Sequence, residues 1–204
     1  PGDEHHFLIN PYGLHYKEVT ASNLVKVDIE GNIVEDTEHK VNPAGIVIHT
    51  AIHAARPDVH CVAHTHTNAG MAVACTQEGL RTDNFYSALL HNQIAYHDFE
   101  GITVNADEKP RLIANLGDKS LMILRNHGLL AGGRTIPEAF QNLWAMERAC
   151  EVQVATDSTG RPNIPVSPEI LAKSEELMAM QAAGSPRERS APSGATDQIG
   201  VTSP

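Results

Sequence analysis

Strand-like and helix-like segments interleave along this 204-residue chain, and that alternation predicts an α/β fold with a sheet that is at least partly antiparallel. Three observations carry the prediction. Short apolar runs of strand length recur at His6–Ile9, Asn23–Asp28, Val59–His64 and Ser120–Leu124. Apolar residues at helical spacing fill Ala44–Ala55 (Ile48, Ile52, Ala55) and a long segment from Thr135 to Thr156. Glu30-Gly31-Asn32 makes a hairpin turn between the Asn23–Asp28 strand and Ile33-Val34-Glu35.

In chain order, Asn10-Pro11-Tyr12-Gly13 reads as the turn after the first strand. Pro43 opens the first helix and Arg56-Pro57-Asp58 stops it, because the residue before a proline is pushed out of the helical region. The strand ending at His64 leads into a small-residue helix, Ala69-Gly70-Met71-Ala72-Val73-Ala74. Tyr86–Leu90 and Ile94–Tyr96 are short elements around a loop, and Lys109–Leu116 is a short helix before the Ser120 strand. Thr135-Ile136-Pro137-Glu138 has the pattern of a capping box, in which hydroxyl and carboxylate would satisfy each other's backbone amides. The helix it starts carries Ile136, Phe140, Leu143, Trp144, Ala149 and Val152, a stripe read as core. From Gly184 the sequence is rich in Ser, Pro, Gly, Ala and Arg and short of large apolar residues, which predicts a disordered tail over 184–204 behind one domain over 1–183. The chain opens on Pro1-Gly2-Asp3 rather than Met, as expected of a processed polypeptide or one represented without its N-terminal part.

Composition removes several function classes. A net charge of −10, with Arg56, Arg81, Arg111 and Arg125 dispersed, argues against a nucleic-acid partner, which would need clustered cations. No apolar run is long enough to span a membrane and no secretory signal is visible. Three cysteines (Cys61, Cys75, Cys150), odd in number and widely spaced, predict reduced thiols and a cytoplasmic location.

Chemistry concentrates at His64-Thr65-His66 and His127. Residues i and i+2 of a strand project to one face, so the two imidazoles of His-x-His stand side by side with Thr65 turned away. His127 ends a second apolar run, just before Gly128. Three neutral imidazoles leave one coordination position of a divalent ion open, the pattern of a catalytic rather than a closed structural metal site. Three imidazoles suit Zn²⁺, Mn²⁺, Fe²⁺ or Co²⁺.

The block Asn42-Pro43-Ala44-Gly45 through Ala54-Ala55-Arg56-Pro57-Asp58-Val59 into His64-Thr65-His66-Thr67, followed by Arg125-Asn126-His127-Gly128-Leu129-Leu130 and a helix with Glu147-Arg148-Ala149-Cys150-Glu151, resembles the class II aldolase/adducin head-domain family. The resemblance covers roughly three quarters of the chain. It implies a three-layer α/β/α sandwich with a largely antiparallel central sheet and a homotetramer with sites at subunit junctions. It also implies a divalent metal, most often Zn²⁺, on His64, His66 and His127 that acts as a Lewis acid in carbon–carbon bond cleavage. The family's acid/base Glu falls on Gly45, and its phosphate-binding hydroxyls fall on Pro43 and Ala44, so this chain departs from the sugar-phosphate aldolases. The version with Pro-Ala-Gly is more like the adducin-type branch, although adducin itself has lost the metal-ligand histidines that are kept here.

The expected function is a metal-dependent lyase, aldolase-like or decarboxylase-like, acting on a small hydroxy- or oxo-acid. The alternatives are a non-catalytic adducin-like assembly module and a metal-dependent dehydratase. The resemblance places Tyr86 nearest to a tyrosine that reaches the site from the neighbouring subunit; otherwise Tyr86 reads as a half-buried aromatic. Tyr12, Gly13 and Asn42 are the candidate substrate-binding residues. His91, Tyr96, His97 and Asp98 are further proton-transfer candidates, with His97 read preferentially as structural. Asn126 is placed to orient His127. His49 and His53, four apart with no Glu between them, read as decoration of one helix face.

Overall fold

A computed structural model describes residues 6–102, 106–184 and 198–202. Among the described residues thirteen strands and α-helices follow one another: β1 His6–Ile9, β2 Val25–Asp28, α1 Pro43–Ala55, β3 Cys61–Thr65, α2 Asn68–Ala74, α3 Phe85–Leu89, β4 Ile94–His97, α4 Lys109–Leu116, β5 Leu121–Leu124, β6 Gly128–Gly133, α5 Ile136–Ser158, α6 Pro168–Gly184 and β7 Gln198–Thr202. The strands form one sheet in the order β2-β1-β7-β3-β6-β5-β4. The sheet is mixed: β1–β2, β3–β6 and β5–β6 are antiparallel, whereas β1–β7, β3–β7 and β4–β5 are parallel. The expectation of a largely antiparallel sheet is therefore corrected. Parallel neighbours need a crossover: α4 lies between β4 and β5, and α5 and α6 precede β7.

Side-chain alternation along the central strands builds two cores. Val62, Met122, Leu124 and Leu130 face Ile48 and Ile52 of α1 and Leu112 and Leu116 of α4. Leu121, Ile123, Leu129 and Ala131 face Val73 and Ala74 of α2 and Met146, Ala149 and Cys150 of α5. The result is the three-layer α/β/α sandwich. Close approach of α5 is possible because β6 carries no side chain at Gly133, where a Cβ would collide with the Ala139 amide. Arg56, at the end of α1, donates two hydrogen bonds to Asp58 (2.8 and 2.7 Å) and one each to the Gly117 and Lys119 carbonyls (2.9 and 2.8 Å). The motif that stops α1 thus also pins the turn between α4 and β5.

Several local expectations change. The tail is not wholly structureless: residues 185–197 and 203–204 lie outside the described residues, but Gln198–Thr202 is a strand between β1 and β3. Segment-averaged composition hid a five-residue run with Ile199, Val201 and Thr202, all β-branched. α6 had no counterpart in the sequence reading. The Gly31 hairpin reduces to a turn with one bridge, Val27 to Ile33. Thr135 caps Glu138 N–H at 3.3 Å, but the Glu138 carboxylate turns to Arg134 (3.0 Å) instead of closing a capping box. Most of the α5 stripe read as core is exposed: Ile136, Phe140, Trp144 and Val152 face outward, while Ala139, Met146, Ala149, Cys150 and Gln153 are buried. Small residues win the buried side because β6 lies so close. His49 and His53 share one face, as expected, but it is the buried one; their rings lie 6.3 and 4.7 Å from the Phe7 ring.

Candidate metal centre

β3 ends in the middle of the sheet, so its last residues leave a well-packed strand at a fixed position. His64 is still paired in register with Leu130 of β6 and is buried; His66 lies just beyond the strand end and is half-buried. His127 comes from the β5–β6 hairpin, whose Arg125-Asn126-His127 loop is clamped from outside. The Arg125 N–H donates to the His97 carbonyl (2.8 Å), the Asn126 N–H to the Ala74 carbonyl (3.0 Å) and the His127 N–H to the Leu124 carbonyl (3.1 Å). Asn126 has φ 56°, the left-handed conformation that Asn tolerates better than most residues. Its role here is in the backbone of the turn. The Arg125 guanidinium donates to the Thr76 carbonyl (2.8 Å) and stacks 4.4 Å above the Tyr96 ring. Gly128 completes the approach, since a Cβ there would collide with the Thr65 carbonyl oxygen.

These elements bring the three imidazoles together. His64 Nε2 lies 2.8 Å from His66 Nε2 and 3.2 Å from His127 Nε2, and the ring centroids are 4.6 to 4.8 Å apart. One ligand atom from each residue falls within 4.8 Å of the others. On the far side of its ring, His64 Nδ1 lies 2.8 Å from the Leu129 carbonyl. A carbonyl only accepts, so Nδ1 carries the proton and Nε2 presents a lone pair to the cluster. Burial, then the neighbouring imidazoles of His127 and His66, hold the His64 pKa down to about 3; burial and His66 hold His127 at about 4. Protonation is thus disfavoured where lone pairs are needed.

The donor set fits a divalent ion. Converging lone pairs repel one another unless a proton or a cation lies among them. For a tetrahedral ion with bonds of roughly 2.0–2.1 Å, the nitrogens would stand about 3.3 Å apart. That distance is within a small rotation of the observed ones. Around the cluster, Thr67 donates a hydrogen bond to the Glu147 carboxylate of α5, which ties the residue after His66 to the helical layer. The exposed Phe99 ring meets the His127 ring edge-on at 6.3 Å. Neither contact was anticipated, although Thr67 follows directly on the His-x-His pair.

The other candidates are placed as follows. Tyr12 and Gly13 form an exposed loop; the Tyr12 N–H donates to the Lys40 carbonyl (2.7 Å), which holds the loop beside the start of α1. Asn42 caps that helix, its side-chain oxygen accepting the Ala44 N–H (3.1 Å). Gly45 sits in the first turn of α1, buried. Within its own chain the half-buried Tyr86 ring packs edge-on between Phe85 (5.4 Å) and Trp144 (5.5 Å), against the α5 layer. His97 is buried, with Nδ1 2.7 Å from the Asn115 side-chain oxygen and Nε2 3.1 Å from Glu108.

Residues 2–154 match the family described as Class II Aldolase and Adducin N-terminal domain. The chain belongs to that family. It is 50% identical over 169 residues to a class 2 aldolase-family protein of Caulobacter vibrioides, covering 83% of this chain and 66% of that protein. It is 48% identical over 165 residues to alpha-adducin of Rattus norvegicus, covering 79% of this chain but 22% of the adducin. Among solved structures, an aldolase II superfamily protein from Pseudomonas syringae superposes with a TM-score of 0.83 at 48% identity, covering 90% of this chain and 77% of that one. The chain thus spans about two thirds of the Caulobacter relative and about a fifth of the adducin.

Proposed function

We propose that this chain is a divalent-metal-dependent lyase of aldolase or decarboxylase type, acting on a small hydroxy- or oxo-acid. The observation that carries the reading is the convergence of three imidazole nitrogens with His64 locked by the Leu129 carbonyl in the metal-binding tautomer. An assembly module has no use for three depressed, converging imidazoles held by a clamped hairpin. Zn²⁺ is the ion the donor set suits best, and when bound it would polarise a substrate carbonyl or carboxylate. Holding a metal in this way is the task of His64, His66 and His127.

The protein's remaining residues divide as follows. Asn42 commits its side-chain oxygen to Ala44, which leaves its amide nitrogen as the group to meet a substrate oxygen. Gly13, at φ 88° with open space around it, lets the Tyr12-Gly13 backbone approach a ligand closely. Gly45 cannot move a proton, so the standard sugar-phosphate aldolase reaction does not fit; Tyr86 of a neighbouring subunit is the candidate proton carrier in a homotetramer. Free thiols at Cys61, Cys75 and Cys150 support a cytoplasmic location. Among the described residues no helix is long and apolar enough to cross a membrane.

A second reading, a non-catalytic adducin-like module, is favoured by Gly45 and by the 48% identity to alpha-adducin. The test is to load the protein with Zn²⁺, Mn²⁺, Fe²⁺ or Co²⁺ and follow a panel of small hydroxy- and oxo-acids for carbon–carbon cleavage, with and without chelator. Cleavage lost on chelation and in His64→Ala supports the lyase. Metal-loaded protein that turns over none of them would sink it in favour of the module. Water release without C–C cleavage would identify a dehydratase.

A further inference from the structure

Of the three imidazoles, His66 has the least strand behind it. β3 pairs with β6 in register as far as Thr65 and Leu129, so His64 sits inside the ladder and His66 one residue past its end. His64 is also fixed by the Leu129 carbonyl, and His127 by the backbone clamps of its hairpin. The direction in which the chain leaves β3 therefore decides where the His66 ring stands, and the next residue along is Thr67.

Thr67 is the N-cap of α2, a position where a Thr hydroxyl normally accepts an amide of the first helical turn. Here the side chain makes no capping bond. It donates instead to the Glu147 carboxylate, 80 residues further along the chain. An ionised carboxylate only accepts, so the hydroxyl proton lies on this bond. The hydroxyl thus gives up a stabilising local bond for a long-range one. Both ends of that bond are anchored. Glu147 stands on α5 next to Met146 and shortly before Ala149 and Cys150, all three fully buried against the sheet. On the other side Gly70 leaves room for the hydroxyl: a Cβ there would stand 2.7 Å from Thr67 Oγ1 and 2.7 Å from Leu129 Cγ. The first turn of α2 therefore rests at once on the residue that follows His66 and on the residue whose carbonyl holds His64.

We infer that Glu147 is a positioning residue of the metal centre: through the Thr67 hydroxyl it sets the path of the chain out of β3, and with it the His66 imidazole. Glu147 is not a member of the donor cluster, which is His64, His66 and His127. It acts on that cluster from the α5 layer, as a carboxylate that holds a ligand's neighbour in place. Outer partners that orient metal ligands commonly carry about 10–100-fold of metal affinity. The inference rests on the metal site of the proposed function and assigns α5 a part in it beyond packing.

The Kd for Zn²⁺, measured by competition with a chelator, and urea unfolding of the chelated protein test it together. Thr67→Val and Glu147→Ala should each weaken Zn²⁺ binding about 10–100-fold. Thr67→Ser keeps the donor and should stay within about threefold of wild type. The double variant Thr67→Val, Glu147→Ala should bind within about threefold of either single one, because both remove the same bond. Gln153→Ala is the control on the same helix: it breaks bonds to the Arg81 N–H (2.8 Å) and the Gly79 carbonyl (3.0 Å), and should lower stability with Kd unchanged. Unchanged Kd in Thr67→Val, multiplied losses in the double variant, or an equal loss of affinity in Gln153→Ala would overturn the inference. A metal-free readout separates it from the proposed function. In chelated protein, Thr67→Val should shift the NMR resonances of the His66 ring, while those of His53, packed on Phe7, stay in place. If wild type itself binds no Zn²⁺, the proposed function falls; shifted His66 resonances would then still uphold the positioning role, and unshifted ones would overturn it.

Discussion

Replacing Gly128 by Ala is the sharpest probe of how the fold makes the site. A Cβ at this position would collide with the Thr65 carbonyl oxygen and stand 3.2 Å from His66 Cδ2. The first contact is with backbone in the central strand pair, where neither partner can rotate away. The β6 start must therefore move off β3, and it carries His127 with it. Overpacking of this kind costs about 1–3 kcal/mol of stability. Misplacing one of three ligands should also weaken metal binding at least about tenfold, because ligand geometry is the basis of the site's affinity. The control is Gly133→Ala, at the other end of the same strand, where a Cβ would collide with the Ala139 amide. It lies about 17 Å away at roughly 3.4 Å per residue and should cost similar stability with unchanged metal affinity. Chemical denaturation with a competitive metal titration reads both quantities. Equal loss of metal affinity in the two variants would refute the reasoning, since destabilisation and not local geometry would then be the cause.

Acid sensitivity follows from the buried imidazoles. Burial lowers the pKa of His64 to about 3, and of His127 and His53 to about 4, from an ordinary 6.5, and lowers that of His49 well below it. Below 6.5 the unfolded chain binds protons that the folded chain refuses, so stability is full above that value and falls as the pH drops toward the folded values. Chelator-treated protein should show a melting temperature that is flat above neutrality and declines through this window; a flat profile down to pH 5 would contradict it. The thiols should divide sharply as well. Burial pushes Cys61 up to about 11 and Cys150 up to about 12, whereas Cys75 is exposed, so a thiol reagent on native protein should label Cys75 alone and all three after unfolding. Arg56→Ala should cost about 2–3 kcal/mol in urea melts, because it removes charge-assisted bonds and leaves the Gly117 and Lys119 carbonyls unpaired.

The parts legible in the sequence were those with a strong local signal. His64 and His66 could be placed on one face because a strand has period two, and α1 was bounded by Pro43 at its start and Arg56-Pro57-Asp58 at its end. β6 was missed because Gly128-Leu129-Leu130-Ala131-Gly132-Gly133 has neither alternation nor β-branching; its burial on both faces comes from α5 on one side and α1 and α4 on the other. The α5 stripe misled for a related reason. Helical periodicity shows that a helix has an apolar face but does not say which neighbour covers it, and here the small residues face the sheet. The Leu129 carbonyl that fixes the His64 tautomer is a backbone group, and such groups carry no sequence signature.

Metal stoichiometry by elemental mass spectrometry, on protein purified without chelator and again after reconstitution, tests the central claim most directly. The convergence of His64, His66 and His127 predicts one divalent transition ion per chain, lost in His64→Ala while the fold persists. Trace metal in the wild type after reconstitution, or full occupancy in His64→Ala, would contradict it.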